Sequence, residues 1–261
     1  MSFFETFAEQ GCLVIERLFD PLLIDSIRDE YERQYASFDP DNLPLHMSVG
    51  DRRLHLPLQL HGPLLDPALY AHPLLMVMLS TILELPFLID NVNCVTALPR
   101  AAEQKIHRDH PPIFGARPEL TATLPAYSVT VGIPLIDLDH ATGTTKLFPR
   151  SMAADSDADG KSPEFEDELC PFLSRGGCFI MDYRLWHRGM ANRSERNRPI
   201  LYIVYAREWF TDVVNFKKHG RLLIDAADVR KIPDEHRPMF RRLAAKGLHD
   251  MSIKQLMGEL R

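Results

Sequence analysis

Between residues 87 and 210 the chain is written in short β-prone runs punctuated by turn residues, and this restricts its fold more than any other feature. The runs are 87–98, 127–136, 144–148, 178–182 and 200–206, with Gly, Pro and Asp between them. Strands spaced this way predict an antiparallel sandwich or barrel rather than βαβ units. No GxGxxG or P-loop pattern competes with that reading. Residues 1–86 read instead as mainly helical. Asp20-Pro21 offers a cap and an early proline to a helix with Leu22, Leu23, Ile27 and Tyr31 on one face. A second helical region, 66–85, is expected around Leu74, Met78 and Ile82, broken at Pro73. The stretch 43–63 between them, with His46, His55 and His61, reads as loop. The chain turns polar and helical toward its end, with short helices expected at 233–246 and 251–261. With no repeat and no flexible linker, the expectation is one domain over 1–261. It comprises a helical flank (1–86), a β core (87–210) and a C-terminal helical extension (211–261).

Composition narrows the class of partner. Thirty basic against 36 acidic residues leave a net charge of −6, which disfavours nucleic acid, since phosphate binding needs a basic footprint. The longest apolar run, 73–89, is interrupted by Glu84 and Pro86 and is too short for a membrane span. The first residues carry Glu5 and Glu9 and no basic region, so they do not read as a secretory signal. Cys12, Cys94, Cys170 and Cys178 form no CxxC pair and read as free thiols of a reducing cytoplasm, the expected location. The sequon Asn192-Arg-Ser194 would go unused there.

The chemistry is concentrated in His107-Arg-Asp109, His187 and Arg198. Residues i and i+2 of a strand share a face, so His107 and Asp109 can grip one metal from one side. Pro111-Pro112 ends ladder pairing just beyond them, where a pocket can open. His187, just after the run 178–182, is expected across the sandwich from the HxD strand as the third ligand. Two imidazoles and a carboxylate are the donor set of a non-haem Fe(II) centre with open positions. An HxD tripeptide alone is a weak signal among eleven histidines; order and context strengthen it. Of the rival histidines, His110 points to the opposite face from Asp109, and His140 falls in a polar turn. Arg198 leads the apolar run 200–205, at the mouth of a buried strand, where its planar fork suits a carboxylate.

These motifs resemble the phytanoyl-CoA dioxygenase family of Fe(II)/2-oxoglutarate oxygenases. The likeness runs from about residue 5 to 215 and includes the opening Phe7 to Ile15, His107-x-Asp109, Gly143-Thr-Thr-Lys-Leu-Phe-Pro149, the 177–187 segment and Arg198. It implies a mainly β fold with flanking α: a double-stranded β-helix, or jelly-roll, core with helices at both ends. It implies that His107, Asp109 and His187 hold Fe(II) and that Arg198 binds the distal carboxylate of 2-oxoglutarate. Gln104 and Thr144 match positions that contact the co-substrate in some members. The implied reaction consumes O2, releases succinate and CO2, and hydroxylates an unactivated carbon of a small molecule. A carboxylate at Asp109 favours oxygen insertion over halogenation. Two departures stand out. Arg150-Ser-Met replaces a common Gly-Ser-His, and Gly189 stands where several members carry a serine that helps hold the co-substrate. Thr144 or Tyr202 is the expected substitute hydroxyl.

Other readings remain open at this level. Desaturation, epoxidation or rearrangement would use the same residues, and a non-catalytic jelly-roll metal-binding or sensing protein would keep the ligands without turnover. A zinc hydrolase lacks a glutamate base of the HExxH kind. Asp155-Ser-Asp157-Ala-Asp159-Gly160 with Glu166 fits the EF-hand pattern, but Ser162 and Pro163 and the missing helical flanks favour a solvated acidic loop, a candidate lid. Arg108, Arg117, Arg150, Arg184 and Arg188 are either scattered surface arginines or the sign of an anionic substrate. Phe114, Tyr127, Trp186 and Trp209 are either core or an apolar pocket wall.

Overall fold

The computed structural model describes residues 2–37, 39, 47–154, 163–212, 214 and 222–242. Along them run α1 (Phe3–Gln10), β1 (Cys12–Ile15), α2 (Pro21–Tyr35), β2 (Arg53–Pro57), α3 (Pro67–Tyr70), α4 (Pro73–Leu83) and β3 (Phe87–Ala97). Then follow α5 (Pro118–Ala122), β4 (Ser128–Pro134), β5 (Thr145–Leu147), β6 (Cys178–Asp182), β7 (His187–Gly189), β8 (Arg198–Arg207) and α6 (Ala226–Val229). Local chemistry sets the helix starts. Asp20 accepts from the Leu22 N–H at 2.9 Å, with Pro21 in the first turn of α2. The 66–85 region is broken as expected: α3 stops at Tyr70, and α4 restarts at Pro73 under the His72 imidazole.

All five strands expected from the sequence form. Four of them, β3, β4, β6 and β8, join β1 and β2 in a six-stranded antiparallel sheet of order β1-β6-β4-β8-β3-β2. The outer face carries Val129, Val131, Ile133, Ile203 and Tyr205, which pack with Ile24 and Ile27 of α2 and Leu75 and Leu79 of α4 in one apolar cluster. A second, smaller layer pairs β5 with β7. Isolated bridges widen it, so that Leu169, Leu147, His187 and His107 lie side by side in one row. Between the layers, Phe179, Met181 and Ile200 pack with Leu147, Leu185 and Leu173. This is the double-stranded β-helix core, closed at one end by side chains and open at the other.

The described part of the flank 1–86 holds α1 to α4, and it also contributes β1 and β2, the two edges of the large sheet, which were not expected there. β2 lies inside the stretch read as loop. Its alternation Arg53-Leu54-His55-Leu56 is a strand signature, hidden by neighbouring prolines and histidines. Pro57 is tolerated because it ends an edge strand. At the other end of the chain the described residues hold α6 and a 3-10 turn at Arg237–Phe240. The helix expected at 251–261, the acidic residues 155–162 and His46 lie outside the described residues.

Candidate active site

His107 and His187 are joined by two backbone hydrogen bonds, His107 N–H to His187 O at 2.9 Å and His187 N–H to His107 O at 2.8 Å. They are therefore neighbours in the small layer, not partners across the sandwich as the strand pattern suggested. Their rings lie 4.5 Å apart between centroids. Asp109, two residues on, brings an oxygen to 3.4 Å from His187 Nε2. The ligand atoms of all three residues fall within 4.8 Å of one another. Each ring is oriented by a backbone carbonyl: His107 Nδ1 lies 2.9 Å from Lys105 O, and His187 Nδ1 lies 3.0 Å from Leu185 O. A proton on each Nδ1 satisfies those carbonyls and leaves both Nε2 lone pairs facing Asp109, the tautomer a metal ligand needs. Burial and then the neighbouring His187 lower the affinity of His107 for a proton. Burial works against the Asp109 carboxylate, but the two imidazoles outweigh it and hold its pKa below the usual range. The cluster is thus a carboxylate and two imidazoles ready to share a cation.

These residues form one wall of a cavity of about 740 Å³, whose floor is the inner face of the large sheet. Register sorts that floor into rows. Arg53, Ala97 and Arg198 share one row across β2, β3 and β8; His55, Val95 and Ile200 share the next; Asn93 and Tyr202 the third; Asn91, Val204, Thr130 and Met181 the last. Asp109 interacts electrostatically with His55 and Tyr202, so the cluster stands over the middle rows.

Arg198 reaches the cavity from the first row, 2% exposed, and donates through Nη1 to Thr142 O and Met190 O, both at 2.9 Å. Beside it lies Arg53, 1% exposed, a residue that sequence reasoning missed. Its Nη2 donates to Ala102 O at 3.1 Å and to the same Met190 O at 3.0 Å. No carboxylate among the described residues pairs with either guanidinium, and both Nε atoms are buried without a partner. Burial and then the adjacent Arg53 charge push Arg198 down to about 9. Two buried like charges are costly unless an anion joins them. This corner therefore fits a small carboxylate, which accepts charge-assisted hydrogen bonds from both forks.

Two glycines make room for this corner. A Cβ at Gly143 would lie 2.5 Å from Ala191 O and 2.8 Å from Arg198 Nη1. A Cβ at Gly189 would lie 2.6 Å from both Arg53 Nη1 and Gln104 Oε1. Arg53 thus fills the space that a serine at 189 would need. Gln104 lines the cavity, accepting from Gly189 N–H at 2.9 Å and donating to Val49 O at 2.8 Å. Thr144 departs from expectation: it is buried away from the cavity, its hydroxyl donating to Pro171 O at 2.9 Å, while Thr145 lines the cavity and meets the Tyr202 hydroxyl at 2.7 Å. One residue of register exchanges the faces of a strand, and sequence likeness does not fix that register.

The other candidates separate cleanly. His110 is buried against Phe210, and His140 is exposed beside Phe172. Arg117, Arg150, Arg184 and Arg188 are paired with Glu119, Asp167, Asp182 and Glu103, so they are no anion trap; Arg108 alone of the five lines the large cavity. Phe114, Tyr127, Trp186 and Trp209 lie outside its lining. The Asn192 side chain is buried, donating to Ala97 O, Leu98 O and Arg196 O, which leaves the sequon inaccessible.

The model of the phytanoyl-CoA dioxygenase (PhyH) family matches residues 7–200. The chain belongs to this family. As a PhyH protein it is an Fe(II)- and 2-oxoglutarate-dependent oxygenase that uses O2. Solved structures share the fold at low identity. The non-heme alpha ketoglutarate dependent epimerase SnoN from nogalamycin biosynthesis is 16% identical, with 78% of this chain and 81% of that chain covered and a TM-score of 0.61. HygX from Streptomyces hygroscopicus, with nickel and 2-oxoglutarate bound, is 16% identical over 81% of this chain and 89% of that chain, also with a TM-score of 0.61. AviO1 from Streptomyces viridochromogenes Tue57 is 20% identical, with 79% and 94% covered and a TM-score of 0.58. No described helix of this PhyH protein is long and apolar enough to cross a membrane.

Proposed function

We propose that this enzyme hydroxylates an unactivated carbon of a small molecule, with His107, Asp109 and His187 as the Fe(II) ligands and Arg198 and Arg53 as the seat of the distal 2-oxoglutarate carboxylate. The observation that carries the reading is the shared cavity: an inward-facing two-histidine, one-carboxylate cluster stands beside two buried guanidiniums without a carboxylate of their own. When bound, iron with 2-oxoglutarate and O2 supplies the oxidising power: one oxygen atom enters the substrate C–H bond and the other leaves in succinate, with CO2 released. The chain supplies position. Lys105 O and Leu185 O hold the imidazoles in the ligating tautomer. Arg53 and Arg198 fix the co-substrate from one end of the floor, and the rows beyond Tyr202 are left for the substrate. Gln104 acts as a brace, holding the Gly189 backbone so that Arg53 can lie against it.

HygX has also been seen with nickel, 2-oxoglutarate and hygromycin B bound, so this fold accommodates a small-molecule substrate beside metal and co-substrate. SnoN, described as an epimerase, supports a second outcome, rearrangement or epimerisation with the same ligands and co-substrate. Succinate release from 2-oxoglutarate, dependent on Fe(II) and lost in His187→Ala, tests the shared chemistry. A product heavier than its substrate by one oxygen indicates hydroxylation; a product of unchanged mass indicates epimerisation. Iron-loaded protein that forms no succinate with any tested substrate, and none in slow uncoupled turnover, would sink the assignment.

A further inference from the structure

Beyond the arginine corner, the inner floor changes chemistry. Its last row is Asn91, Val204, Thr130 and Met181, across β3, β8, β4 and β6. Asn91 and Thr130 are 0% and 2% exposed, yet the Asn91 Nδ2 and the Thr130 hydroxyl have no hydrogen-bond partner. The other end of the Asn91 amide is engaged by Asn93 at 2.7 Å, so whichever way the amides are turned, one donor or acceptor is left over. A buried polar atom without a partner is costly, and replacing Thr130 by the similarly shaped valine would remove that cost.

The backbone is shaped to present this row. Ile89 pairs with Tyr205 but Asn91 pairs with Val204, so Asp90 is an extra residue in β3, a β-bulge. Asp90 is pinned by Arg242, which also donates to Glu208 O at 3.2 Å. The bulge switches which residues of β3 face inward, from Asn93 and Asn91 to Leu88. Leu88 then joins Ala206, Tyr127, Tyr183 and Phe210 in an apolar plug that ends the cavity. The Asn91 amide and the Thr130 hydroxyl are the last polar groups before that plug. None of the four residues in the row is charged, and the nearby Tyr183 hydroxyl is already committed to Asp212 at 2.7 Å. Asn91 and Thr130 flank β8, which sets their backbones about two strand spacings, ~10 Å, apart.

We propose that this row seats the substrate, and that the substrate is a neutral, oxygen-rich ring molecule (a polyhydroxylated or glycosidic ring, not an acyl chain) bridging Asn91 and Thr130. An alkyl chain would leave both polar groups buried and unpaired. A carboxylate or phosphate would find no cation in this row. A ring bearing hydroxyls at its two sides satisfies both groups at once while its face lies on Val204 and Met181. The inference rests on the oxygenase reading of the cavity.

The test uses the full chain loaded with Zn(II) and 2-oxoglutarate, which cannot turn over. Binding of 2-oxoglutarate is measured first by calorimetry. Saturation-transfer NMR is then recorded with a panel of methyl pyranosides and inositols, with octanoate and citrate for contrast. We expect neutral rings to receive saturation, and Thr130→Val and Asn91→Leu each to weaken the best of them about tenfold. Zn(II) and 2-oxoglutarate affinities stay unchanged in both variants, and Thr130→Val melts at or above the wild-type temperature. That combination separates a recognition role from a structural one. If no neutral ring is held, or if octanoate is held and tightens in Thr130→Val, the inference is overturned while the oxygenase reading stands. If 2-oxoglutarate fails to bind the wild type, the oxygenase reading falls and takes this inference with it.

Discussion

Replacing Arg53 by Met separates a ligand-binding role from a structural one, because the two predict opposite pairs of results. A guanidinium held at about 9 rather than above 12 is destabilised in its charged form by on the order of 4–5 kcal/mol. For Arg198, burial is the larger cause and Arg53 the next, so removing Arg53 relieves part of that cost. Against that stand the hydrogen bonds from Arg53 to Ala102 O and Met190 O, worth about 1 kcal/mol each. The relieved repulsion offsets part of that loss, so the ligand-free Arg53→Met protein unfolds within about 2 kcal/mol of wild type in urea. Co-substrate binding has no such compensation. Losing one charge-assisted hydrogen bond costs about 1.5–3 kcal/mol, so the 2-oxoglutarate dissociation constant rises roughly 10- to 150-fold. Calorimetric titration of 2-oxoglutarate into Mn(II)-loaded protein under argon reads the second quantity. A variant that loses several kcal/mol of stability and keeps wild-type 2-oxoglutarate affinity would refute the reasoning and make Arg53 a backbone tie.

Gly189 gives a companion prediction. Gly189→Ser places its Cβ 2.6 Å from Arg53 Nη1, so it displaces that guanidinium and weakens 2-oxoglutarate about tenfold. In Arg53→Ala the serine has only the flexible Gln104 side-chain end, 2.6 Å from its Cβ, left to displace, and calorimetry is expected to show the double variant binding more tightly than Arg53→Ala alone. The cysteines give a prediction in pH. Burial raises Cys12 to about 11 and Cys94 and Cys178 to about 12. Their folded-state pKa values lie above the unfolded ones, so the stability they contribute is complete below pH ~9 and is lost as pH rises through 11–12. Urea midpoints are expected to hold from pH 7 to 8.5 and fall by pH 10.5, less steeply in Cys94→Ala. A thiol reagent at pH 8 is expected to modify half-buried Cys170 first and the other three only on unfolding.

Much of this molecule was legible because its signals are local. Asp20-Pro21 supplies the cap and first-turn proline of α2 from adjacent residues, and the mostly apolar run 178–182 becomes a strand buried on both faces. The ligand set was legible as residue types in order. Its arrangement was not, because pairing His107 directly with His187 is decided by which strands meet in the small layer. Arg53 was missed for the same reason. It stands 145 positions from Arg198 in sequence, and only the register of β2 and β8 on either side of β3 sets them in one row. The reading of Thr144 differs from the structure by a single residue, enough to turn a side chain from the cavity to the buried opposite side.

The most direct test of the central claim is an anaerobic visible spectrum of the metal-free protein titrated with Fe(II) and then 2-oxoglutarate, with Asp109→Ala beside it. The account predicts a weak metal-to-ligand charge-transfer band that saturates at one equivalent of iron in the wild type and is absent or displaced in the variant. Folded, iron-loaded wild-type protein that develops no band with excess 2-oxoglutarate would contradict it.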